Sequence, residues 1–244
     1  MGKAYTNLGK FYESIISDSN YKTFINYVVS LVNNNTNGRE GLDVGCGSGI
    51  LTRQLKKQGY KITGIDNSEE MLFEAKNNAI NEGLNITFLK EDIRSLKYFN
   101  KVDFITACND VFNYIQSKCL AKTFKNLYKL LNKGGVLVFD ISSEYKLKNI
   151  LSNNAFGDDD ENLTYLWLNS YNKELNAVEM SLSFFEKIGK NYNRYDETQI
   201  QFIHTTNEID EVLKGVGFKI VNKTDENGNE LKENSNRIVY LVKK

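Results

Sequence analysis

Apolar positions change their period along this chain, and each change marks an architectural boundary. Tyr21, Phe24, Ile25, Val28, Val29 and Val32 recur at three- and four-residue spacing, which predicts a helix capped by Asp18 or Ser19. A shorter amphipathic helix carrying Tyr5 and Tyr12 is expected before it. The run Asn33-Asn34-Asn35-Thr36-Asn37-Gly38 then breaks the pattern. Short apolar runs follow, expected as strands over 41–44, 61–65, 85–89, 102–108 and 136–140. Helical periodicity begins near Ile50, Ser68 and Ser117 between them, and a further helix is expected over 143–151. Strands alternating with helices imply a parallel sheet covered on both faces.

The alternation stops after Asn153. Residues 153–162 read as an exposed acidic loop. Beyond it Val178, Met180, Leu182 and Phe184 alternate with mostly polar neighbours, the period-two signature of a half-buried strand. Flanking runs at 163–171 and 192–204 are also strand-like, so an antiparallel meander is expected inside the parallel fold. Thr205-Thr206-Asn207-Glu208 is a capping-box pattern that opens a helix to about Gly215. A final hairpin is expected over 218–224 and 237–242. The fold class is therefore α/β, a Rossmann-like doubly wound, mostly parallel sheet with N-terminal helices and an inserted antiparallel β lid. Its organisation reads as a helical cap over 1–37, a core over 38–152 and 205–244, and the lid over 153–204.

Composition narrows the function classes. The 244 residues carry 31 Lys+Arg and 31 Asp+Glu, so no charge excess marks the chain for non-specific nucleic-acid binding. The cysteines Cys46, Cys108 and Cys119 lack C-x-x-C spacing and read as reduced thiols, with no metal site expected. The acids Asp158-Asp159-Asp160-Glu161 are consecutive, so their side chains diverge, and they read as a solvated loop. No apolar run reaches the ~18 residues of a membrane span. A cytoplasmic, soluble chain is expected, monomer or homodimer, with a small-molecule partner, no membrane and no nucleic acid.

The chemistry concentrates in Leu42-Asp43-Val44-Gly45-Cys46-Gly47-Ser48-Gly49. A strand, a glycine turn and a helix N-terminus make a cradle of free N–H groups. The dinucleotide fingerprint G-x-G-x-x-G needs glycine where this chain has Ile50. A carboxylate at Asp43 would repel a pyrophosphate and suits a ligand with a cationic end. Read with the segments that follow, Ile62–Ser68, Phe88–Ile93, Val102–Asp110 and Leu130–Asp140, the loop resembles the class I S-adenosylmethionine-dependent methyltransferases, in the small-molecule, glycine-N-methyltransferase-like branch.

That resemblance implies S-adenosylmethionine as cofactor. It implies cofactor contacts at Tyr12, Asp43, Gly45, Cys46, Gly47, Gly49, Asp66, Asn67, Met71, Asp92, Ile93 and Asn109. Asp43 would meet the methionyl amino group, Asp66 the ribose hydroxyls, and Asp92 with the Ile93 N–H the adenine edge. Asp110 is the candidate catalytic acid or base, although a solvated loop acid fits as well. Asn113, Tyr114, Trp167 and Tyr195 are candidate acceptor contacts; aromatics in strands are also ordinary packing residues. The single histidine, His204, reads as structural, with a base as its alternative. Three rival functions stay open at this point: a methyltransferase of protein or structured RNA, a cofactor-binding module without transfer activity, and a nicotinamide dehydrogenase, which Ile50 disfavours.

Overall fold

The computed structural model describes residues 19–244 apart from Phe99. The expected first helix and Tyr12 lie outside the described residues. The chain runs α1 (Ser19–Asn35), β1 (Glu40–Val44), α2 (Ile50–Lys57), β2 (Lys61–Asp66), α3 (Glu69–Asn81), β3 (Thr87–Lys90), β4 (Val102–Ala107), α4 (Ser117–Leu130) and β5 (Leu131–Ser142). It continues through β6 (Ala155–Asp159), β7 (Leu163–Asn172), β8 (Ala177–Ile188), β9 (Asn191–Phe202), α5 (Thr206–Val216), β10 (Lys219–Thr224) and β11 (Arg237–Lys243).

The seven-stranded sheet has the order β10-β11-β5-β4-β1-β2-β3. Its β1–β5 ladders are parallel, while β11 enters antiparallel between β5 and β10. Both faces are buried, so the central strands split their apolar residues by parity. Phe104, Val136, Val138, Val239 and Leu241 pack under α1 and α2. Ile105, Leu137, Phe139, Tyr240 and Val242 pack under α4 and α5. The strand order reverses between β1 and β4, and open α/β sheets bind ligands at such a reversal, beyond the carboxyl ends of the strands.

The remaining strands form a four-stranded antiparallel sheet, β6-β7-β8-β9, reached from the end of β5 and left at the start of α5. Three expectations need correction. Part of the expected acidic loop is strand β6, whose residues are all exposed but whose backbone pairs with β7. The helix expected over 143–151 is present from Glu144, but over Lys146–Leu151 it is wound as a π turn, which buries Leu147 and Leu151 against the second sheet. Strand β5 begins at Leu131, ahead of its apolar run, because Leu131 pairs with Val102 before a register shift, and pairing with β4 resumes at Val136 opposite Phe104. The Thr205 hydroxyl accepts from the Glu208 N–H, so the capped start of α5 is as expected.

Candidate active site

Strand β1 delivers Asp43 to the reversal point. Its carboxylate is 2 % exposed and accepts from Thr52 Oγ1 at 2.5 Å and Thr106 Oγ1 at 2.7 Å. Burial pushes its pKa up to about 6 against the opposing pull of those two hydroxyls, and no cationic side chain is among the groups that shift it. The loop that follows turns on Gly45, Gly47 and Gly49, all at positive φ. A Cβ at Gly45 would also strike Val111 at 2.5 Å, so both conformation and space demand glycine there. Gly49 caps α2 in the left-handed region, and the buried Arg53 anchors the loop through the Ser48 carbonyl at 2.7 Å.

At the end of β2, Asp66 Oδ2 accepts from the Gly47 N–H and Oδ1 from the Ser68 N–H, both at 2.9 Å. The acid and the glycine loop are thus one unit, joined across adjacent parallel strands. Burial raises the Asp66 pKa as well. The buried Asp43 carboxyl, the half-buried Asp66 carboxyl, each with lone pairs beyond those used by these donors, and the buried Ser48 hydroxyl, which has no partner among the described residues, converge here. The N–H groups of Gly45, Cys46, Gly47 and Gly49, expected to be free, are taken by the Ile65 and Cys46 carbonyls and by Asp66, and this acid-rich cradle fits S-adenosylmethionine, whose sulfonium and ammonium charges offset the carboxylates and whose ribose supplies donors. It does not fit a pyrophosphate.

The other predicted residues fall around this centre. Asn67 is exposed beside it, and Met71 is buried, its Cε 3.1 Å from where a Cβ on Gly47 would sit. Cys46 has its thiol pushed well up by burial and by the neighbouring Asp66 and Asp43, so it is no nucleophile. Asp92 caps the 3-10 turn that starts at Ile93, and Arg94 grips its carboxylate through Nε and Nη2. Asp92 therefore reaches an adenine amino group only with lone pairs that Arg94 leaves open. Ile93 is half-buried against the core.

The tip of β4 forms the opposite wall. Asn109 and Asp110 both have φ of 64°, a left-handed pair that asparagine and aspartate tolerate best among non-glycine residues. Asp140, fully buried at the end of β5, holds this pair by accepting the Asn109 N–H at 2.7 Å and the Asp110 N–H at 3.2 Å. Arg237 from β11 bridges Asp140 and Asp110. Burial alone would raise the Asp110 pKa, but Arg237 and Lys146 outweigh it and hold the carboxyl below its usual range. Asp140 is pushed up to about 6 by burial despite Arg237. A clamped, acidified Asp110 is a poor general base, and an electrostatic or positioning part suits it better. From α1, the Tyr21 hydroxyl accepts the Asn109 side-chain N–H at 2.7 Å.

Asn113 and His204 turn out to be joints. The Asn113 amide donates to the Ser142 and Phe202 carbonyls and accepts the Ser142 N–H, with none of its surface exposed. That use of the side chain leaves it tying the two sheets together rather than touching an acceptor. His204 Nε2 lies 3.2 Å from the Phe112 carbonyl and 3.0 Å from that of Ile115, and burial depresses its pKa. The neutral ring donates there and supports the same turn. Tyr114, Trp167 and Tyr195 lie against the second sheet: Tyr114 bonds Gln199, Trp167 bonds Asn169, and Tyr195 bonds Glu186.

Residues that the sequence reasoning passed over include Thr52, Thr106, Tyr21, Asp140, Arg237 and Lys146. Asp140 was within reach, since it ends a strand as Asp43 and Asp66 do. The others had no local signature.

The family described as methyltransferase domain matches residues 42–135, the stretch that holds the glycine loop, Asp66, Asp92 and the β4 tip. A Bacillus subtilis (strain 168) protein, YqeM, named as a methyltransferase, is 30 % identical over 98 % of this chain and 97 % of its own. The crystal structure of an S-adenosylmethionine-dependent methyltransferase from Clostridium acetobutylicum ATCC 824 superposes with a TM-score of 0.87, at 35 % identity over 96 % of each chain. A sugar N-methyltransferase from Streptoalloteichus, KedS8, shares the fold at a TM-score of 0.78 and 16 % identity, over 98 % of this chain and 94 % of that one. The acid-rich cradle, the strand order and these relationships agree, and the chain belongs to the S-adenosylmethionine-dependent methyltransferases.

Proposed function

We propose that the protein methylates a small molecule held between the β4 tip and the second sheet. The observation that carries this reading is the docking of that sheet onto the tip. Asn113 ties the Phe202 carbonyl of β9 to the end of β5, and Tyr114 reaches Gln199 of β9 at 2.8 Å. On this reading the sheet covers the carboxyl ends of β1 and β4, near Asp43 and the Asn109–Asp110 tip. A cover in that place encloses a small acceptor and excludes water.

S-adenosylmethionine, when bound, supplies a methyl group on a positively charged sulfur, which a nucleophilic atom displaces directly. The chain's residues have the remaining tasks. Asp43, with Gly45, Cys46, Gly47 and Gly49, receives the amino-acid end, and Asp66 accepts from the ribose hydroxyls. Asn67, Met71, Asp92 and Ile93 border the base. Asn109 and Asp110, locked by Asp140 and Arg237, face the acceptor and fix its approach, since alignment supplies much of such a reaction's acceleration.

Transfer of tritium from methyl-labelled S-adenosylmethionine into a fractionated cell extract tests this reading. Label is expected in the small-molecule filtrate. Label confined to the protein or RNA fraction would overturn it.

A further inference from the structure

Strand β8 divides its side chains between the two faces of the second sheet. Val178, Met180, Leu182 and Phe184 turn inward and are buried. Successive residues of a strand point to opposite faces, so Glu179, Ser181, Ser183, Phe185 and Lys187 turn outward. Directly opposite partners share a face. Leu166 and Leu168 of β7, paired with Ser183 and Ser181, therefore stand on the outer side as well. They are 49 % and 54 % exposed. On their other flank they pair with Gly157 and Ala155 of β6. Two neighbouring leucines thus project from a surround of small residues, on a sheet whose inner face is already docked. Single exposed apolar residues are ordinary, but a contiguous patch marks a contact surface.

The charges on this face are arranged about its centre. Along β8, Glu179 lies four residues before Ser183 and Lys187 four residues after it. The Glu179 carboxylate accepts from Asn172 at 2.7 Å and has lone pairs left, and Lys187 is exposed. On β9, Asp196 comes with its own counter-ion, Arg194, at 2.9 Å, so that pair adds no net charge. Consider a second copy turned over by a two-fold axis that crosses the strands at Ser183. It sets Glu179 of each copy against Lys187 of the other, and Ser181 against Phe185, small against large. Ser183 is the partner of Leu166, so the same axis brings the two Leu166 side chains together in the middle. An axis along the strands would instead oppose ends of like charge. The crossing arrangement has an apolar centre and charged ends, the anatomy of a protein interface.

We infer that the outer face of the second sheet is the contact between two copies of this chain, related by a two-fold axis across the strands near Ser183. Such an interface is isologous, so each residue pair forms twice. The size fits. Four strands about 4.8 Å apart, with about 3.3 Å per residue over the length of β7, give a flat face of roughly 600 Å² before side-chain relief is counted. A stable interface takes about 800 Å² of accessible surface per partner.

Sedimentation equilibrium of the full chain at micromolar concentration tests this, and a dimer is expected. Leu166→Lys changes an exposed side chain, so its melting temperature should match the parent's. Its dimer dissociation constant should rise at least about a hundredfold, because both copies carry the change. Glu179→Lys and Lys187→Glu should each weaken the dimer several-fold. The two changes in one chain should restore it, because the axis again sets opposite charges together. A parent protein that stays monomeric would overturn the inference. So would a Leu166→Lys dimer as tight as the parent's, which would put the contact elsewhere, such as on the open edge of β6. Charge variants that weaken the dimer singly without restoration in the pair would also overturn it, since the axis at Ser183 would then be wrong.

Discussion

Asp43 is where the cost of building this site is most visible at the residue scale. Its folded-state pKa of about 6 lies above the ordinary value of 3.8, so the folded protein binds a proton that the unfolded chain has released. Stability attributable to this group is therefore present at low pH and lost as pH rises from about 4 through 6. At neutral pH the ionised, buried form costs on the order of 3 kcal/mol by that shift. Asp43→Asn removes the charge and keeps a group that bonds Thr52 and Thr106. Its melting temperature relative to the parent protein is expected to rise between pH 4.5 and pH 8, and scanning calorimetry at the two pH values checks this. A difference independent of pH would show that Asp43 is not strained by burial. Retention of a group with such a cost makes sense where a cationic ligand offsets it.

At the element scale, the β4 tip depends on strands remote from it. Arg237 on β11 bridges Asp110 and Asp140, 127 and 97 residues away in sequence. Removing one partner from a buried ionic cluster leaves uncompensated charge. Arg237→Met is expected to destabilise the protein by about 3–5 kcal/mol at pH 7.5, measured by urea denaturation. The loss should shrink at pH 5, because Asp140, already raised by burial, is then protonated in the folded state. A loss of the same size at both pH values would argue that Arg237 acts by packing on Phe24, over whose ring it lies at 5.0 Å. This separation also explains what the sequence made legible. The glycine loop, Asp43 and Asp66 have local signatures, an acid at the end of an apolar run beside a turn. The alternation of Val178, Met180, Leu182 and Phe184 likewise announced β8. The clamp and the Tyr114–Gln199 bond, 85 residues apart, exist only once the chain is folded, and no spacing rule reaches them. Strand β6 was missed because an edge strand with every residue exposed has no hydrophobic period to read.

At the scale of the whole molecule, the proposed function divides the labour between the two sheets. The parallel sheet brings Asp43, Asp66 and the Asn109–Asp110 tip to one end. The antiparallel sheet, held there by Asn113 and His204, contributes an inner face of aromatic and polar side chains. Cofactor affinity should then belong to the first sheet and acceptor choice to the second. Calorimetric titration of S-adenosylhomocysteine into Asp66→Ala and Tyr114→Phe tests that division most directly. If Asp66 receives the ribose hydroxyls as proposed, Asp66→Ala loses charge-assisted bonds to them, and its affinity is expected to fall by about 1.5–3 kcal/mol, roughly ten- to over a hundredfold. Tyr114→Phe keeps its shape, and its affinity is expected to remain within about twofold of the parent. Unchanged binding in a folded Asp66→Ala protein, or an equal loss in both variants, would contradict the account.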